Sequence, residues 1–249
     1  MAELWSVREG PDDAPVVLLL HGGGVGAWMW RHQVAALRDR YRVIAPDLPG
    51  HDHSAADPFT SAADLVERLA GLLRPLADGR EVAVAGFSFG AQLALALATA
   101  HPDLVSRVVV VSALTEPVPF TRASLALVRT TAPLGRQPWF ARLQARSMSV
   151  PDALFDDYLR TVRALPTADL VALLAENAAF RAPTAWPDFP GRALLLAGSR
   201  EPLALVRGMR TLHERLPGTE LEVVPGAGHG LPLERPEWFT ARLLAFLSS

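Results

Sequence analysis

The feature that most constrains the fold is a pentapeptide with glycine at both ends, Gly86-Phe87-Ser88-Phe89-Gly90. It lies between an apolar run, residues 82–85, and an alanine- and leucine-rich stretch, residues 91–100. This order predicts a strand, a sharp turn and a helix, with glycines that let strand and helix pass close together. A serine at such a turn is held out beyond the end of the sheet. A plain strand-to-helix turn with no chemical role is the alternative.

The rest of the chain alternates short apolar runs with helical patterns. Residues 16–20 are apolar throughout, which is typical of a parallel strand covered by helices on both faces. The alternation predicts an α/β fold with a doubly wound, mostly parallel sheet flanked by helices, and ligands at the carboxyl ends of the strands. Strands are predicted at residues 4–8, 16–20, 42–45, 82–85, 108–111, 193–197 and 221–224, and helices at residues 30–37, 61–73, 91–100, 203–216 and 236–247.

The pattern changes between residues 114 and 190, where strand signals vanish and short helical stretches alternate with prolines. We expect a helical insertion there. Residues 1–113 and 191–249 would then form the α/β core.

Composition excludes several chemistries. The chain has no cysteine, which rules out a thiolate nucleophile, disulfides and cysteine-ligated metal sites. All 24 basic residues are arginine, so no lysine can form a Schiff base or complete a phosphate-binding P-loop. The formal charge of −2 does not indicate nucleic acid or an anionic membrane as partner. The first residues carry no basic leader, and the early apolar run is too short for a signal or a membrane span, so we expect a cytoplasmic enzyme.

Ser88 needs a base to take its proton, and a histidine base needs a carboxylate to orient it. Both groups are expected at the ends of later strands. The last predicted strand is followed by Pro225-Gly-Ala-Gly-His229-Gly, and the strand before it by Gly198-Ser-Arg-Glu201-Pro. The sequence therefore offers His229 and Glu201 in the required order. Glu116, after the preceding core strand, is the alternative acid.

At this point the sequence resembles the α/β-hydrolase fold superfamily, in its cap-bearing serine hydrolase branch. The resemblance covers nearly the whole chain outside the insertion, which would then be a cap, or lid. It rests on five motifs, namely His21-Gly22, Asp47 to Gly50 through Ser54, Gly86 to Gly90, Gly198 to Glu201 and Gly226 to His229.

The resemblance implies that Ser88 attacks a carbonyl carbon and that His229 acts as base and then as acid. It implies an oxyanion hole made by the N–H of Phe89 with that of Gly23, or of Gly24 instead. Relatives usually have aspartate where this chain has Glu201, and related hydrolases also accept glutamate in that role. His21 would brace the oxyanion loop.

Candidates for the substrate pocket are Gly24 and Trp28 near the glycine loop, and Trp139, Phe155 and Tyr158 in the insertion. We expect most of the insertion's aromatic residues to form its own core. Its arginines are expected to form a solvated face (Arg122, Arg129, Arg136, Arg142 and Arg146).

The sequence predicts a serine hydrolase that cleaves a small to medium, largely apolar ester, lactone or thioester, or a C–C bond. No cofactor or metal is expected. His51 and His53 could instead ligate a metal, but a third clear ligand is lacking.

Two alternatives remain open. One is a non-hydrolytic enzyme with the same triad (a lyase, cyclase or cofactor-free haloperoxidase-like enzyme), and the other is a receptor-like protein that binds its ligand with little turnover. The substrate is a small molecule, and the oligomeric state does not follow from the sequence.

Overall fold

A computed structural model describes residues 4–119 and 122–249 of the chain. Within these ranges a seven-stranded sheet has the order β1-β3-β2-β4-β5-β6-β7, and β1 alone runs antiparallel to its neighbour. The predicted doubly wound, mostly parallel sheet is therefore confirmed. The strands are β1 Ser6–Glu9, β2 Val16–Leu20, β3 Arg42–Pro46, β4 Val82–Phe87, β5 Arg107–Val111, β6 Arg192–Gly198 and β7 Glu220–Val224.

Helices connect the strands and cover both faces of the sheet. Ser61 begins one of them by accepting a hydrogen bond from the Asp64 N–H at 3.1 Å, which satisfies a backbone donor of the first turn. The helices of the described ranges are α1 Arg31–Leu37, α2 Ala62–Ala77, α3 Phe89–Ala100, α4 Arg122–Gly135, α5 Pro138–Ser147, α6 Phe155–Ala164, α7 Thr167–Ala179, α8 Leu203–Arg215, α9 Leu231–Glu234 and α10 Pro236–Leu247.

Two apolar layers follow from the alternation of side chains along the strands. Leu18 and Leu20 of β2 pack with α2, α3 and α8 on one face of the sheet. Val17 and Leu19 face the other way and pack with α1 and α10. A strand that is apolar at every position is thus buried on both faces, as its sequence predicts.

The carboxyl ends of the parallel strands meet at one edge of the sheet. A glycine loop, residues 21–26, follows β2, and Asp47 follows β3. Ser88 follows β4, the Gly198 to Glu201 turn ends β6, and the turn that carries His229 follows β7. Residues far apart in the sequence are thereby brought to one place.

The chain between β5 and β6, residues 112–191, is here called the β5–β6 segment and contains α4 to α7. Helix α4 packs against α5 and α7, and α5 packs against α6. The end of the segment packs elsewhere: Trp186 is fully buried with α8, and its Nε1–H donates to the carbonyl of Leu212 at 2.8 Å. In the part of the chain that the structure describes, no helix has the length and apolar character needed to cross a membrane.

Candidate active site

Ser88 lies in a backbone conformation that places its side chain beyond the end of β4. Its φ of 54° and ψ of −116° are unusual for a residue with a Cβ, and the strain costs on the order of 1–3 kcal/mol. The Ser88 N–H donates to the carbonyl of Val111 at 2.9 Å, which fixes the turn to β5. A Cβ at Gly86 would lie 2.1 Å from the carbonyl oxygen of Gly90, so the strand and helix meet backbone to backbone.

A chain of hydrogen bonds joins Ser88, His229 and Glu201. The Oγ atom of Ser88 lies 3.1 Å from Nε2 of His229, and Nδ1 of that histidine lies 2.6 Å from Oε1 of Glu201. Since a carboxylate oxygen accepts, Nδ1 carries the ring proton and Nε2 is left as an acceptor for the serine hydroxyl. The imidazole is 35% exposed while the Glu201 side chain is fully buried. Ser88 is also partly exposed, so both groups are accessible from outside the protein, and the acid is shielded from solvent.

The second carboxylate oxygen of Glu201 accepts two hydrogen bonds, which fix the side chain. Oε2 accepts a hydrogen bond from the Gly198 N–H at 2.8 Å and from the Ser112 hydroxyl at 3.1 Å. The turns after β6 and β7 also touch directly, since a Cβ at Gly198 would lie 2.4 Å from the carbonyl oxygen of Ala227. Glu116, the alternative acid, is exposed and is not a partner of His229.

Backbone donors lie beside the serine. Phe89 is the first residue of α3, so its N–H has no partner within the helix, and the helix dipole favours negative charge there. No described residue accepts a hydrogen bond from the N–H of Phe89 or of Gly23. The Gly24 N–H, by contrast, donates to Nε2 of His51 at 3.1 Å. Of the two glycines that the sequence leaves open, Gly23 is the one with a free donor.

Two buried histidines brace the glycine loop. Nε2 of His21 accepts the Leu48 N–H at 2.9 Å, and Nδ1 of His21 lies 2.8 Å from the carbonyl oxygen of Gly22. His51 has the same pattern, with Gly24 as donor and the carbonyl of Pro49 as acceptor. Burial lowers the pKa of His21 to about 4 and that of His51 to about 3, so both rings are neutral near pH 7. A neutral ring can accept on Nε2, which this bracing requires.

The residues considered for a metal site have other partners. Ligand atoms of Asp47, Asp52 and His53 lie within 4.8 Å of one another. However, Asp47 accepts from the Ala27 N–H at 2.7 Å and from His53, and both oxygens of Asp52 accept from Arg160 at 2.8 Å. His51 is engaged with the glycine loop. These side chains hold the loops after β2 and β3 to each other and to α6.

A cavity of about 310 Å³ lies between the glycine loop and helices α4 to α7. Gly23 and Gly24 form its wall on the core side, and Tyr158 of α6 lines it from the β5–β6 segment. Its remaining wall is largely apolar, with Val128, Phe140, Met148, Val162, Leu170 and Leu174. Arg136, expected on a solvated face, also lines this cavity. The side chain of Arg122 lies outside the described part of the structure.

Three of the five predicted pocket residues lie outside this cavity. Trp28 is buried, donates from Nε1 to the Thr161 hydroxyl at 2.9 Å, and borders a separate cavity near Asp47. Phe155 is buried beneath the guanidinium of Arg142, whose Cζ lies 4.2 Å from the ring centroid. Trp139 is 66% exposed, so its ring faces solvent.

Two residues near the candidate site, Ser112 and Arg136, are not among the site residues predicted from the sequence. Ser112 directly follows a buried strand at the carboxyl edge of the sheet, and that position is a signal that could have identified it. Arg136 is one of several arginines in the β5–β6 segment, and nothing in its local pattern distinguishes it from the exposed ones.

The family model described as "Alpha/beta hydrolase family" matches residues 17–242, and the chain belongs to this family. Among curated proteins it is similar to "Putative carbamate hydrolase RutD" of Caulobacter sp. strain K31. The two are 33% identical over 97% of this chain and 94% of that protein.

Solved structures with the same fold are named for enzymes with different activities. The enol-lactonase of Burkholderia xenovorans LB400 superposes with a TM-score of 0.83 at 22% identity, covering 99% of this chain and 96% of that one. The bromoperoxidase of Bacillus anthracis superposes with a TM-score of 0.84 at 18% identity, covering 99% and 95%. At these identities the likeness shows the fold alone.

Proposed function

We propose that this protein is a serine hydrolase in which Ser88 is the nucleophile, His229 the general base and acid, and Glu201 the orienting acid. The observation that carries the proposal is the hydrogen-bond chain from the Ser88 hydroxyl through His229 to the buried carboxylate of Glu201. Membership of a hydrolase family supports the same reaction class. The reaction needs no cofactor or metal.

The first half of the reaction forms an acyl-enzyme. Nε2 of His229 takes the hydroxyl proton while Oγ of Ser88 bonds to the substrate carbonyl carbon, and the carbonyl oxygen becomes an oxyanion. The free N–H groups of Gly23 and Phe89 stabilise that oxyanion, and each such donor contributes about 3 kcal/mol in comparable sites. His229 then gives its proton to the leaving oxygen, and the alcohol departs.

The second half hydrolyses the acyl-enzyme. Water attacks the acyl carbon, its proton passes to Nε2 of His229, and the proton returns to Oγ of Ser88 as the carboxylic acid is released. Glu201 keeps the ring in the required tautomer and stabilises the imidazolium that forms in each half.

The cavity and the relatives support a substrate class. A largely apolar cavity of about 310 Å³ supports a small to medium carbonyl substrate with apolar character. Esters and lactones suit this site, as do thioesters, and a C–C bond next to a carbonyl is compatible with the same groups. The relative named for carbamate hydrolysis adds carbamates to the classes to be tested.

We also propose that residues 114–190 act as a cap over the core formed by residues 1–113 and 191–249. Helices α4 to α7 supply most of the cavity wall, and the core supplies Gly23 and Gly24. The cap would hold the substrate against the glycine loop and shield the acyl-enzyme. A cytoplasmic location stays a prediction.

The test is turnover of p-nitrophenyl esters with acyl chains of two to eight carbons. We expect multiple turnovers, with an optimum in chain length set by the cavity. Ser88→Ala should lower kcat by about 10⁶-fold, the scale seen when a triad serine is removed. The control is Ser147→Ala, which removes an exposed hydroxyl of α5 and should change nothing.

Retained activity in Ser88→Ala would overturn the mechanism. Absence of multiple turnover in the wild-type chain, across esters, lactones and carbamates, would favour a receptor-like or non-hydrolytic protein instead.

A further inference from the structure

Among the described residues in the wall of the cavity beside the glycine loop, one is charged, namely Arg136. It follows α4, and its Nη2 lies 3.3 Å from the carbonyl oxygen of Leu165 and 3.5 Å from the Thr167 hydroxyl. The second distance is at the limit of a hydrogen bond. Among the described residues no carboxylate lies within ion-pair distance of this guanidinium. None of the described carboxylates therefore neutralises its positive charge.

Tyr158 provides a second donor in the same wall. Its side chain is 2% exposed, and no described residue forms a hydrogen bond with its hydroxyl. The hydroxyl oxygen is not among the fully buried unpaired atoms of the described residues, so it is open to the cavity, where a ligand or water can accept its proton. Burial also raises the pKa of the phenol to about 12, so the group keeps its proton and can donate.

The surroundings favour an anion over a neutral polar group. Apart from Arg136, Tyr158, Gln144 and two threonines, the described residues of the wall are apolar residues and glycines. A guanidinium beside such a wall interacts with an anion more strongly than it would in open water, and its planar N–H groups match the two oxygens of a carboxylate.

We propose that the substrate of the hydrolysis proposed above carries a carboxylate, which Arg136 and Tyr158 bind while the scissile carbonyl lies against the glycine loop. The hydrolysis itself rests on the function proposed above. The carboxylate on the substrate rests on the residues of the cavity wall. The substrate class is then the monoester, or equivalent acyl derivative, of an aliphatic dicarboxylic acid.

A purely structural role for Arg136 is the competing explanation, because the guanidinium also ties α4 to the start of α7. In that case its removal would loosen the β5–β6 segment and affect neutral and anionic substrates alike. The experiment therefore compares matched substrates.

The experiment measures kcat/KM for monomethyl esters of dicarboxylic acids from succinate to suberate, and for methyl alkanoates of equal length. Within each pair the substrates differ by a terminal carboxylate in place of a methyl group. We expect the wild-type chain to prefer the anionic ester at one chain length. Arg136→Gln should reduce that preference by about 10- to 100-fold and leave the neutral ester nearly unchanged.

Three further variants sharpen the result. Arg136→Lys keeps the charge and should retain part of the preference, and Tyr158→Phe should reduce it by about 5- to 10-fold. Arg129→Gln removes an exposed arginine of α4 and should have no effect. Equal losses on both esters in Arg136→Gln, or an unchanged preference, would overturn the inference while leaving the proposed hydrolysis intact.

A binding measurement tests the carboxylate site independently of the proposed hydrolysis. Calorimetry with monomethyl adipate and Ser88→Ala should show binding that the additional change Arg136→Gln weakens by the same factor. Binding that does not depend on Arg136 would overturn the carboxylate site. If the wild-type chain hydrolyses neither ester but binding depends on Arg136, the carboxylate site stands and the proposed hydrolysis fails.

Discussion

The α/β core and the β5–β6 segment are held in place by different kinds of contact. In the core, backbone meets backbone around the candidate catalytic residues, as at Gly86 with Gly90 and at Gly198 with Ala227. Near the cavity, the segment's hydrogen bonds to the core include side-chain pairs, Thr161 with Trp28 and Arg160 with Asp52. Its backbone approaches the core closely at one point, where the Met148 carbonyl oxygen would lie 2.2 Å from a Cβ at Gly230. Backbone packing allows almost no adjustment, whereas side-chain contacts can change with sequence. On the function proposed above, we expect the chemistry to depend on the core and substrate selection to depend on the segment.

After the loss of Ser88 itself, the largest expected effect concerns the acid of the core. Glu201→Gln keeps the size of the side chain but removes the charge that orients His229, and we expect kcat to fall by about 10⁴-fold. Glu116→Gln is the matched control, because Glu116 is exposed after the preceding strand. Steady-state kinetics on the best ester provide the measurement. A larger loss in Glu116→Gln than in Glu201→Gln would mean that the acid lies after β5.

The second effect concerns the neutral histidines that brace the glycine loop. The pKa values of His21 and His51 are lowered from 6.5 to about 4 and about 3 in the folded chain. Below pH 6.5 the unfolded chain binds protons that the folded chain does not, so the free energy of unfolding falls as the pH decreases towards 4. Each histidine contributes at most about 1.4 kcal/mol per pH unit.

Urea unfolding between pH 7 and pH 4 checks this expectation. His51→Asn should show a shallower loss of stability than the wild-type chain, whereas His32→Asn, which changes a more exposed ring, should not. An unchanged slope in His51→Asn would contradict the bracing role.

A smaller effect is expected from the hydroxyl that supports Glu201. Ser112→Ala removes one of two donors to Oε2, and the Gly198 N–H remains, so kcat/KM should fall by about 5- to 10-fold. Ser106→Ala is the control, because Ser106 lies at the opposite end of β5 and donates to the carbonyl of Val82. An equal loss of kcat/KM in both variants would mean that the substitutions disturb β5 in general, and that the Ser112 hydroxyl does not specifically support Glu201.

The smallest effect concerns the attachment of the segment. Arg160 is half exposed, and its pairing with buried Asp52 contributes about 1 kcal/mol. Arg160→Gln should raise the hydrogen-exchange rates of α6 amides and leave those of β2 and β4 unchanged, with exposed Arg146→Gln as control. Faster exchange in the core strands would mean that the two regions are not held independently.

The fold was predictable because its signals are local. Buried strands such as β2 are apolar at every position, and the close approach of β4 and α3 requires glycine at positions 86 and 90. The members of the candidate site could be named for the same reason, since each lies in the turn that follows a strand, and strand ends converge in a parallel sheet. Their roles remain proposals.

The cavity wall was less predictable, because it depends on how α4 to α7 rotate against one another. Trp139 and Phe140 are neighbours on α5, yet Phe140 lines the cavity and Trp139 faces solvent. Successive helical residues point about 100° apart, so an error of one position moves a side chain from cavity to surface. The same reasoning applies to Arg136, whose position beside the cavity has no signature in its own sequence.

The most direct test of the central claim is the mass of the chain after reaction with a small phosphonofluoridate, followed by peptide mapping. The account predicts a single adduct on Ser88, which is absent in Ser88→Ala and retained in Ser147→Ala. In Glu201→Gln the adduct should form much more slowly. No adduct on the wild-type chain, or an adduct on a residue other than Ser88, would contradict an activated serine at this turn.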